Sequence, residues 1–479
     1  MKKSGNQEIL EKIEHVGIDN LYEQYGLVNV LSELADSWPL EKMVSYFSKI
    51  KFEKKSKSSI KVIATSFYRA YDGGTERVNA ELMNLWVQMG YRVILLTEEP
   101  VHELDYPYPQ MVKRVIIPNY NDLPNRLEII KKVCEEEDVD VFVNHNWNNP
   151  RAIWECVMLR TMGVYFVQYC HGHFAWSIAQ GREGLFQPQS FQLCDLVVAI
   201  SETNAKFYQL CGCNSFLIKN PIPQDLLDVN QSTLESKSVL MIGRLSWEKY
   251  PLEAMRVFKL AHDKLADIEL DIVGDGPLSA KIRDYVFENG LTNAVHFHGK
   301  KSAEETKTFY DRCACVLFTS KMEGYPMVLL ETKAWGIPVI MYDLPYLSMT
   351  QDNKGVLTAP FEDYNQMAEH LVQVLQDDNY RKKLGTEARN SFDVLSKYDL
   401  QNEWKKIFEI IVGTSKDIKC AEYFSREYMK PGEQYIMPTL LDNVVKSYDS
   451  LLDSSLNYKV GKKILFLPMK IRDLIRKRR

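Results

Sequence analysis

The chain is 479 residues long, with 45% hydrophobic and 26% charged side chains, a globular composition that excludes a disordered or fibrous protein. Its net charge of −5 argues against general nucleic-acid binding. No run of eighteen apolar residues occurs, so no segment reads as a membrane-spanning helix, and no apolar run follows the lysines of MKKSGNQEIL, so the start does not read as a signal peptide.

Residues 1–57 read as a helical extension, with Leu27, Leu31 and Leu34 at helical spacing; KFEKKSKSS (51–59) reads as a linker. An alternation of strands and helices begins at Ile60. IKVIATSF (60–67) is a short, apolar, β-branched run that suits a buried parallel strand. Val78, Leu82, Leu85 and Met89 then recur on one helical face, and Gly90 can stop that helix. The runs YRVILLTEE (91–99), VDVFVNH (139–145), VYFVQY (164–169), DLVVAIS (195–201) and FLIKN (216–220) continue the strand series, with Ser201 placed to cap a helix. Asn220-Pro221-Ile222-Pro223 forms a stiff connector. The series then restarts with KSVLMIG (237–243), IELDIVG (268–274), AVHFHG (294–299), ACVLFTS (314–320), IPVIMYD (337–343) and GVLTA (355–359). A helical region, roughly 363–412, closes it, and residues 413–460 show no clear pattern. The expectation is α/β: two doubly wound, Rossmann-like domains at 58–222 and 223–412, hinged near residue 222, with a C-terminal extension at 413–479.

Nine cysteines are scattered. The pairs Cys211/Cys213 and Cys313/Cys315 lack the C-x-x-C partners of a zinc site. They read as reduced thiols of a cytoplasmic protein.

In open parallel sheets, ligands bind beyond the carboxyl ends of the strands, so the loops after strands carry the chemistry. Asp72-Gly73-Gly74-Thr75 lets the backbone approach a ligand, and the helix behind it presents free N–H groups, which suits a phosphate; a tight turn explains the glycines equally well. Gly243-Arg244-Leu245-Ser246-Trp247-Glu248-Lys249 brings a planar guanidinium and a mobile ammonium together, able to neutralise a diphosphate or simply to face solvent. Glu323-Gly324-Tyr325-Pro326 leads into a helix through Met327, Leu330 and Ala334, with Pro326 suited to its first turn. Glu331 lies inside that helix and is able to accept from a vicinal diol, as Glu323 is from a sugar; Glu323 also suits a plain helix start, and Glu331 a surface position. His171 and His173 in Cys170-His171-Gly172-His173 have no third metal ligand nearby in sequence. Neither a G-x-G-x-x-G nor a G-x-x-x-x-G-K-[ST] motif occurs.

These segments in this order resemble glycosyltransferase family 4, retaining enzymes with the two-domain GT-B fold, of the bacterial cell-surface polysaccharide type. The likeness covers roughly residues 58–412. It rests on D-G-G-T-E-R-V (72–78), the His171 loop, G-R-L-S-W-E-K (243–249), G-D-G-P (274–277), E-G-Y-P-M-V-L-L-E (323–331) and G-I-P-V-I (336–340). The resemblance implies an acceptor domain followed by a nucleotide-sugar domain, facing a cleft. It implies Gly73 and Gly74 beside the donor diphosphate and Arg244 and Lys249 bound to it. Glu323 would contact the donor sugar, Glu331 the ribose, and the main chain of Gly324, Tyr325, Met327 and Val328 the phosphates, with His171 near the reacting face. It implies no divalent metal and no cofactor, the nucleotide-sugar (a UDP-sugar foremost) being a substrate. Lys333, Trp335 and the turn His298-Gly299-Lys300-Lys301 depart from the family pattern and bear on the base pocket.

The last eighteen residues, 462–479, hold eight Lys/Arg and one Asp, which leaves −12 on the rest of the chain. Cations mixed with Ile464, Leu465, Phe466, Leu467, Ile471, Leu474 and Ile475 suit an anionic membrane surface, though a solubilising tail has the same composition. The reading is therefore a cytoplasmic transferase, peripheral on the inner face of the cell membrane, with a glycan or lipid-linked acceptor. Trp147, Trp154 and Trp176 offer aromatic faces for such an acceptor or for the core. The alternatives are a nucleotide-sugar 2-epimerase and a non-catalytic glycan-binding partner of another transferase.

Overall fold

The computed structural model describes residues 9, 12, 13 and 17–413, apart from 54–58, 72, 180, 181, 345, 346, 348, 349 and 351–353. Asp72, the 413–479 extension beyond Gly413 and the basic stretch 462–479 therefore lie outside the described residues.

Within residues 17–53, the N-terminal extension carries three short helices, Ile18–Tyr25, Leu27–Ser37 and Leu40–Phe47. Leu31, Leu34, Met43 and Phe47 on their apolar faces share one core with Leu127, Ile130 and Trp154 of the domain that follows. Phe47 meets Trp154 edge-on at 6.0 Å, so Trp154 is a core residue. Each such fully buried side chain contributes roughly 1.5–3 kcal/mol, and here that burial fastens the extension to the first domain.

The first sheet has seven strands: β1 (Val62–Ser66), β2 (Arg92–Thr97), β3 (Lys113–Ile116), β4 (Val141–Asn144), β5 (Tyr165–Cys170), β6 (Leu196–Ala199) and β7 (Ser215–Leu217). They run in the order β3-β2-β1-β4-β5-β6-β7, and every neighbouring pair is parallel. The second sheet has β8 (Ser238–Ile242), β9 (Glu269–Val273), β10 (Val295–Gly299), β11 (Cys315–Phe318), β12 (Val339–Tyr342) and β13 (Val356–Ala359), in the order β10-β9-β8-β11-β12-β13, again all parallel. β1, β4, β5, β6 and β11 are buried along their whole length, which is why they read as continuous apolar runs. The two doubly wound, Rossmann-like halves expected from the sequence are both present.

Edge strand β3 has no counterpart in the sequence reading. It is half exposed and begins on Lys113-Arg114, so it lacks the apolar run that marks its neighbours. The final helix, Leu400–Ile411, also differs from expectation in its packing. Trp404, Ile407, Phe408 and Ile411 enter the core of the first domain with Trp86 and Val78, and Trp404 meets Trp86 edge-on at 5.0 Å. The chain thus returns to the first domain after completing the second.

In each sheet the strand order reverses at one point, between β1 and β4 in the first and between β8 and β11 in the second. Crevices at such reversals, outside the carboxyl ends of the strands, are where doubly wound sheets bind ligands. The loops that leave those strands are 67–73, 145–151, 243–250 and 319–326.

Candidate active site

The helix Gly74–Gln88 starts immediately after the loop from β1, and the helix Met327–Ala334 after the loop from β11. Their N-termini meet across the gap: a Cβ at Gly74 would lie 3.4 Å from Met327 Cγ. Each helix start carries partial positive charge from unsatisfied N–H groups, so two such ends converge. Gly73 has φ −175°, extended backbone open to any residue. A Cβ there would lie 2.3 Å from Glu76 Oε2, so a larger residue would displace the Glu76 carboxylate. Glu76 itself is buried and accepts from Arg69 Nε at 2.9 Å; burial raises its pKa.

Pro326 stands at the N-cap with φ −71°, before the first turn. The helix behind it buries Leu329, Leu330, Thr332, Lys333 and Ala334, so it is enclosed on most sides rather than amphipathic. Tyr325, Met327 and Val328 are half-buried at its start, with Tyr325 packed against the cores of both domains. Gly324 is wedged against the other domain, where a Cβ would lie 2.4 Å from the His171 carbonyl oxygen.

Lys249 ends a short turn in the loop after β8, and Tyr250 follows it in the left-handed region at φ +51°. Lys249 Nζ donates to Glu323 Oε1 at 2.5 Å. Arg244, earlier in the same loop, is exposed. Among the described residues its guanidinium makes no hydrogen bond or ion pair, yet its charge is felt by Tyr68 after β1, whose phenol burial and Glu76 push up to about 12 against the opposing charges of Arg69 and Arg244. Two glycines shape this loop from outside: a Cβ at Gly274 would lie 2.0 Å from the Gly243 oxygen, and one at Gly276 2.5 Å from the Leu245 oxygen. The G-D-G-P segment therefore buttresses the Arg244 loop by backbone contact that no larger residue permits.

Glu331 is not a surface residue. Its Oε1 accepts from Arg77 Nη1 at 2.6 Å and its Oε2 from Tyr310 Oη at 2.7 Å. Arg77 lies on the Gly74–Gln88 helix of the first domain and also donates through Nη2 to Asp225 Oδ1 at 2.7 Å. Trp335 stacks behind Tyr310 at 6.2 Å, so this departure from the family pattern backs the residue that holds Glu331. Lys333 is buried, donates to the Lys354 carbonyl oxygen at 2.5 Å, and is pushed down to about 7 by burial. His298 is engaged with Asp271 Oδ1 at 2.6 Å.

His171 follows β5. Its Nε2 lies 2.6 Å from His145 Nδ1, and its ring stacks on Tyr169 at 4.4 Å. Burial holds both histidines neutral, His145 down to about 3 and His171 well below its ordinary value, the latter also repelled by His145. In a neutral pair one ring must donate and the other accept. The nitrogen of His171 not engaged by His145 is Nδ1. The two histidines face each other, and His173 is buried beside Phe174 instead. Trp176 of the first domain stacks on Trp247 at 4.9 Å and 12°, with Lys321 Nζ 4.4 Å from the Trp247 ring. Trp147 packs its ring against Gly172.

Arg77, His145, Tyr310 and Tyr68 are the residues of this region without an assigned role in the sequence reading. Arg77 was visible within D-G-G-T-E-R-V, one turn behind the glycines, and His145 stands at the carboxyl end of a switch-point strand, the position that the topological rule singles out. Nothing in the sequence marks Tyr310 or Tyr68. Seven of the eight described cysteines are buried and the other is half-buried. Among the described residues, no helix is long and apolar enough to cross a membrane.

Comparison with known proteins follows the same division. A model described as glycosyltransferase family 4 matches residues 72–225, and one described as glycosyl transferases group 1 matches residues 225–391. An uncharacterised glycosyltransferase of Methanocaldococcus jannaschii is 23% identical over 347 residues, covering 68% of this chain and 91% of that protein. The GalNAc-alpha-(1->4)-GalNAc-alpha-(1->3)-diNAcBac-PP-undecaprenol alpha-1,4-N-acetyl-D-galactosaminyltransferase of Campylobacter jejuni is 26% identical over 222 residues, 46% of this chain and 61% of that enzyme. Among solved structures, a variant of Staphylococcus aureus TarM in complex with fondaparinux, alpha-GlcNAc-glycerol and UDP superposes with a TM-score of 0.62 at 13% identity, covering 74% of this chain and all of that one.

Proposed function

Because the chain belongs to the family 4-like glycosyltransferases of GT-B fold, the two family models together spanning residues 72–391, we propose that it transfers a sugar from a nucleotide-sugar, a UDP-sugar foremost, to a glycan or lipid-linked acceptor, with retention at the anomeric carbon. The observation that carries this reading is the convergence of the Lys249–Glu323 pair and two helix N-termini at the switch points, with Arg244 exposed on the same loop as Lys249. A leaving nucleoside diphosphate develops negative charge, and a positive site arranged beforehand for that charge lowers the barrier. Arg244 is the exposed cation for that task, while Lys249 and the start of the 327–334 helix stand beside Glu323.

In this reading Glu323 orients the donor sugar and Glu331 accepts from the ribose hydroxyls. His171 presents Nδ1 toward the reacting face. The bond from the anomeric carbon to the diphosphate oxygen breaks as the acceptor oxygen forms its new bond on the same face. The acceptor proton passes to an oxygen of the departing phosphate. Arg244, Lys249 and the helix tip supply the charge that a divalent ion provides elsewhere, so no metal is invoked. The Campylobacter relative, named for a polyprenol-linked substrate, supports a lipid-linked acceptor. The basic segment 462–479 would hold the enzyme at an anionic membrane surface, on the inner face of the cell membrane.

The test is a panel of UDP-, GDP- and ADP-sugars, with donor turnover measured with and without polyprenol-linked glycan acceptors and with the anomeric configuration of the product determined. Acceptor-dependent release of UDP with an alpha product is expected. Turnover of donor without any acceptor would identify an epimerase instead, and binding without turnover would identify a non-catalytic partner.

A further inference from the structure

We propose that Arg77 is a positioning residue for donor binding, aiming Glu331 at the ribose hydroxyls from across the interdomain gap. The proposal rests on the reading of Glu331 as the ribose carboxylate. Arg77 sits in the first turn of the Gly74–Gln88 helix, its own N–H donating to the Gly73 oxygen at 3.1 Å. That places its guanidinium beside the carboxyl end of the partner domain's site helix. One arm of the fork reaches Glu331 Oε1 at 2.6 Å and the other reaches Asp225 Oδ1, in the turn Gln224–Leu226 just after the connector, at 2.7 Å. A lysine cannot span both, because it offers a point charge in place of a planar fork.

The lone pairs explain why this arrangement suits a diol. A carboxylate has about four acceptor sites, two on each oxygen. Arg77 occupies one on Oε1 and Tyr310 one on Oε2. One remains on each oxygen, which is what two neighbouring hydroxyls require. The side chains of Arg77 and Glu331 are only 11% and 13% exposed, so the pair is shielded from solvent, and removing one partner strands the other. Burial raises the Glu331 pKa, Arg77 and the Tyr310 hydroxyl pull it back, and Asp225 pushes it up. The other charged groups facing this cluster are Glu81, raised to about 7 by burial and opposed by Arg77, and Lys307, 3.7 Å from Asp225. Without Arg77 the carboxylate keeps its proton to higher pH, and a protonated carboxyl has lost acceptor capacity.

The experiment compares wild type, Arg77→Gln, Arg77→Lys and Glu331→Gln by calorimetric titration with UDP and by steady-state kinetics across neutral and mildly acidic pH. Arg77→Gln is expected to weaken UDP binding and raise donor KM about tenfold or more, the loss of a charge-assisted hydrogen bond, with kcat changed far less. Its affinity should begin to fall at a higher pH than in wild type as the solution is acidified. Arg77→Lys should lie between the two. If Glu331→Gln weakens UDP binding while Arg77→Gln binds within twofold of wild type at every pH, the positioning role is wrong and the ribose reading stands. If Glu331→Gln itself binds UDP normally, the ribose reading falls and takes the proposal with it. Should Arg77→Gln not fold, Arg77→Lys decides, and a donor KM equal to wild type in that variant overturns the proposal.

Discussion

Lys249 Nζ lies 2.5 Å from Glu323 Oε1, joining the loop after β8 to the loop after β11. The pair places a cation and a carboxylate at the reversal point of the second sheet, beside the start of the 327–334 helix. The Glu323 side chain is 10% exposed, so it is largely shielded from solvent. Lys249→Ala is expected to lower kcat about a hundredfold and to lower the melting temperature as well, because Glu323 loses its nearest cation. Steady-state rates with thermal melts check both effects; a variant with normal turnover would remove Lys249 from the mechanism.

Arg244→Ala should separate activity from stability. The guanidinium is exposed and makes no hydrogen bond or ion pair among the described residues, so the melting temperature should stay put. Loss of a donor to the leaving group costs roughly 3 kcal/mol, or about a hundredfold in rate. Folded Arg244→Ala enzyme with wild-type turnover would show that some other cation serves the diphosphate.

Gly324→Ala tests the close approach of the two domains. Its Cβ would meet the His171 oxygen at 2.4 Å, and the obstacle is backbone, which does not swing aside as a side chain does. Overpacking of this kind costs about 1–3 kcal/mol, with a matching fall in melting temperature and in donor affinity. An alanine variant as stable and active as wild type would mean that the His171 and Glu323 loops move apart freely.

The histidines predict a loss of stability in acid. Unfolded histidine takes up a proton near pH 6.5, whereas burial holds His145 and His173 in the fold down to about 3. The unfolded chain therefore binds more protons below about pH 6.5, and each of these two residues removes about 1.4 kcal/mol per pH unit from there downward toward 3. Glu81 runs the other way, since burial raises it to about 7 and its contribution is lost as pH rises through that value. His171 joins the histidine side and the raised carboxylates Glu76 and Glu331 join the other; the histidines carry the larger shifts, so melting temperature should drop between pH 6.5 and 4.5, and drop less steeply in His145→Gln. Parallel slopes in the two proteins would contradict the buried neutral assignment of His145.

Residues 462–479 lie outside the described residues, and their eight cations still make a measurable claim. A protein cut back to residue 461 should no longer co-sediment with vesicles containing anionic lipid, while retaining turnover on a soluble acceptor. Co-sedimentation equal to the full chain would assign membrane contact to another surface or to none.

The buried strands were readable because helices cover both faces of each sheet, which makes β1, β4, β5 and β11 continuous apolar runs. β3 escaped because an exposed edge strand needs no such run. The loops after β1, β8 and β11 were found because their glycines and charges cluster in short segments at strand ends. Arg77 and His145 stand where the glycine motif and the topological rule point, but what gives them weight is a partner 254 and 26 residues away, respectively, and sequence spacing does not encode that contact. Lys333 makes the same point from inside the fold: the sequence marks it as a departure from the family pattern, but not that it donates to a backbone oxygen in the core. The Leu400–Ile411 helix was legible as a helix, while its allegiance to Trp86 depended on the return of the chain.

That return has a mechanical consequence. The second domain is joined to the first by two separate passages of backbone, one around Pro221 to Pro223 and one between the 378–395 and 400–411 helices, and Trp404 anchors the latter beneath the first sheet. A body pinned at two points swings only about the line through them. Two connections restrain twisting and sliding more than a single tether does, and they favour opening of the gap about the line that joins them.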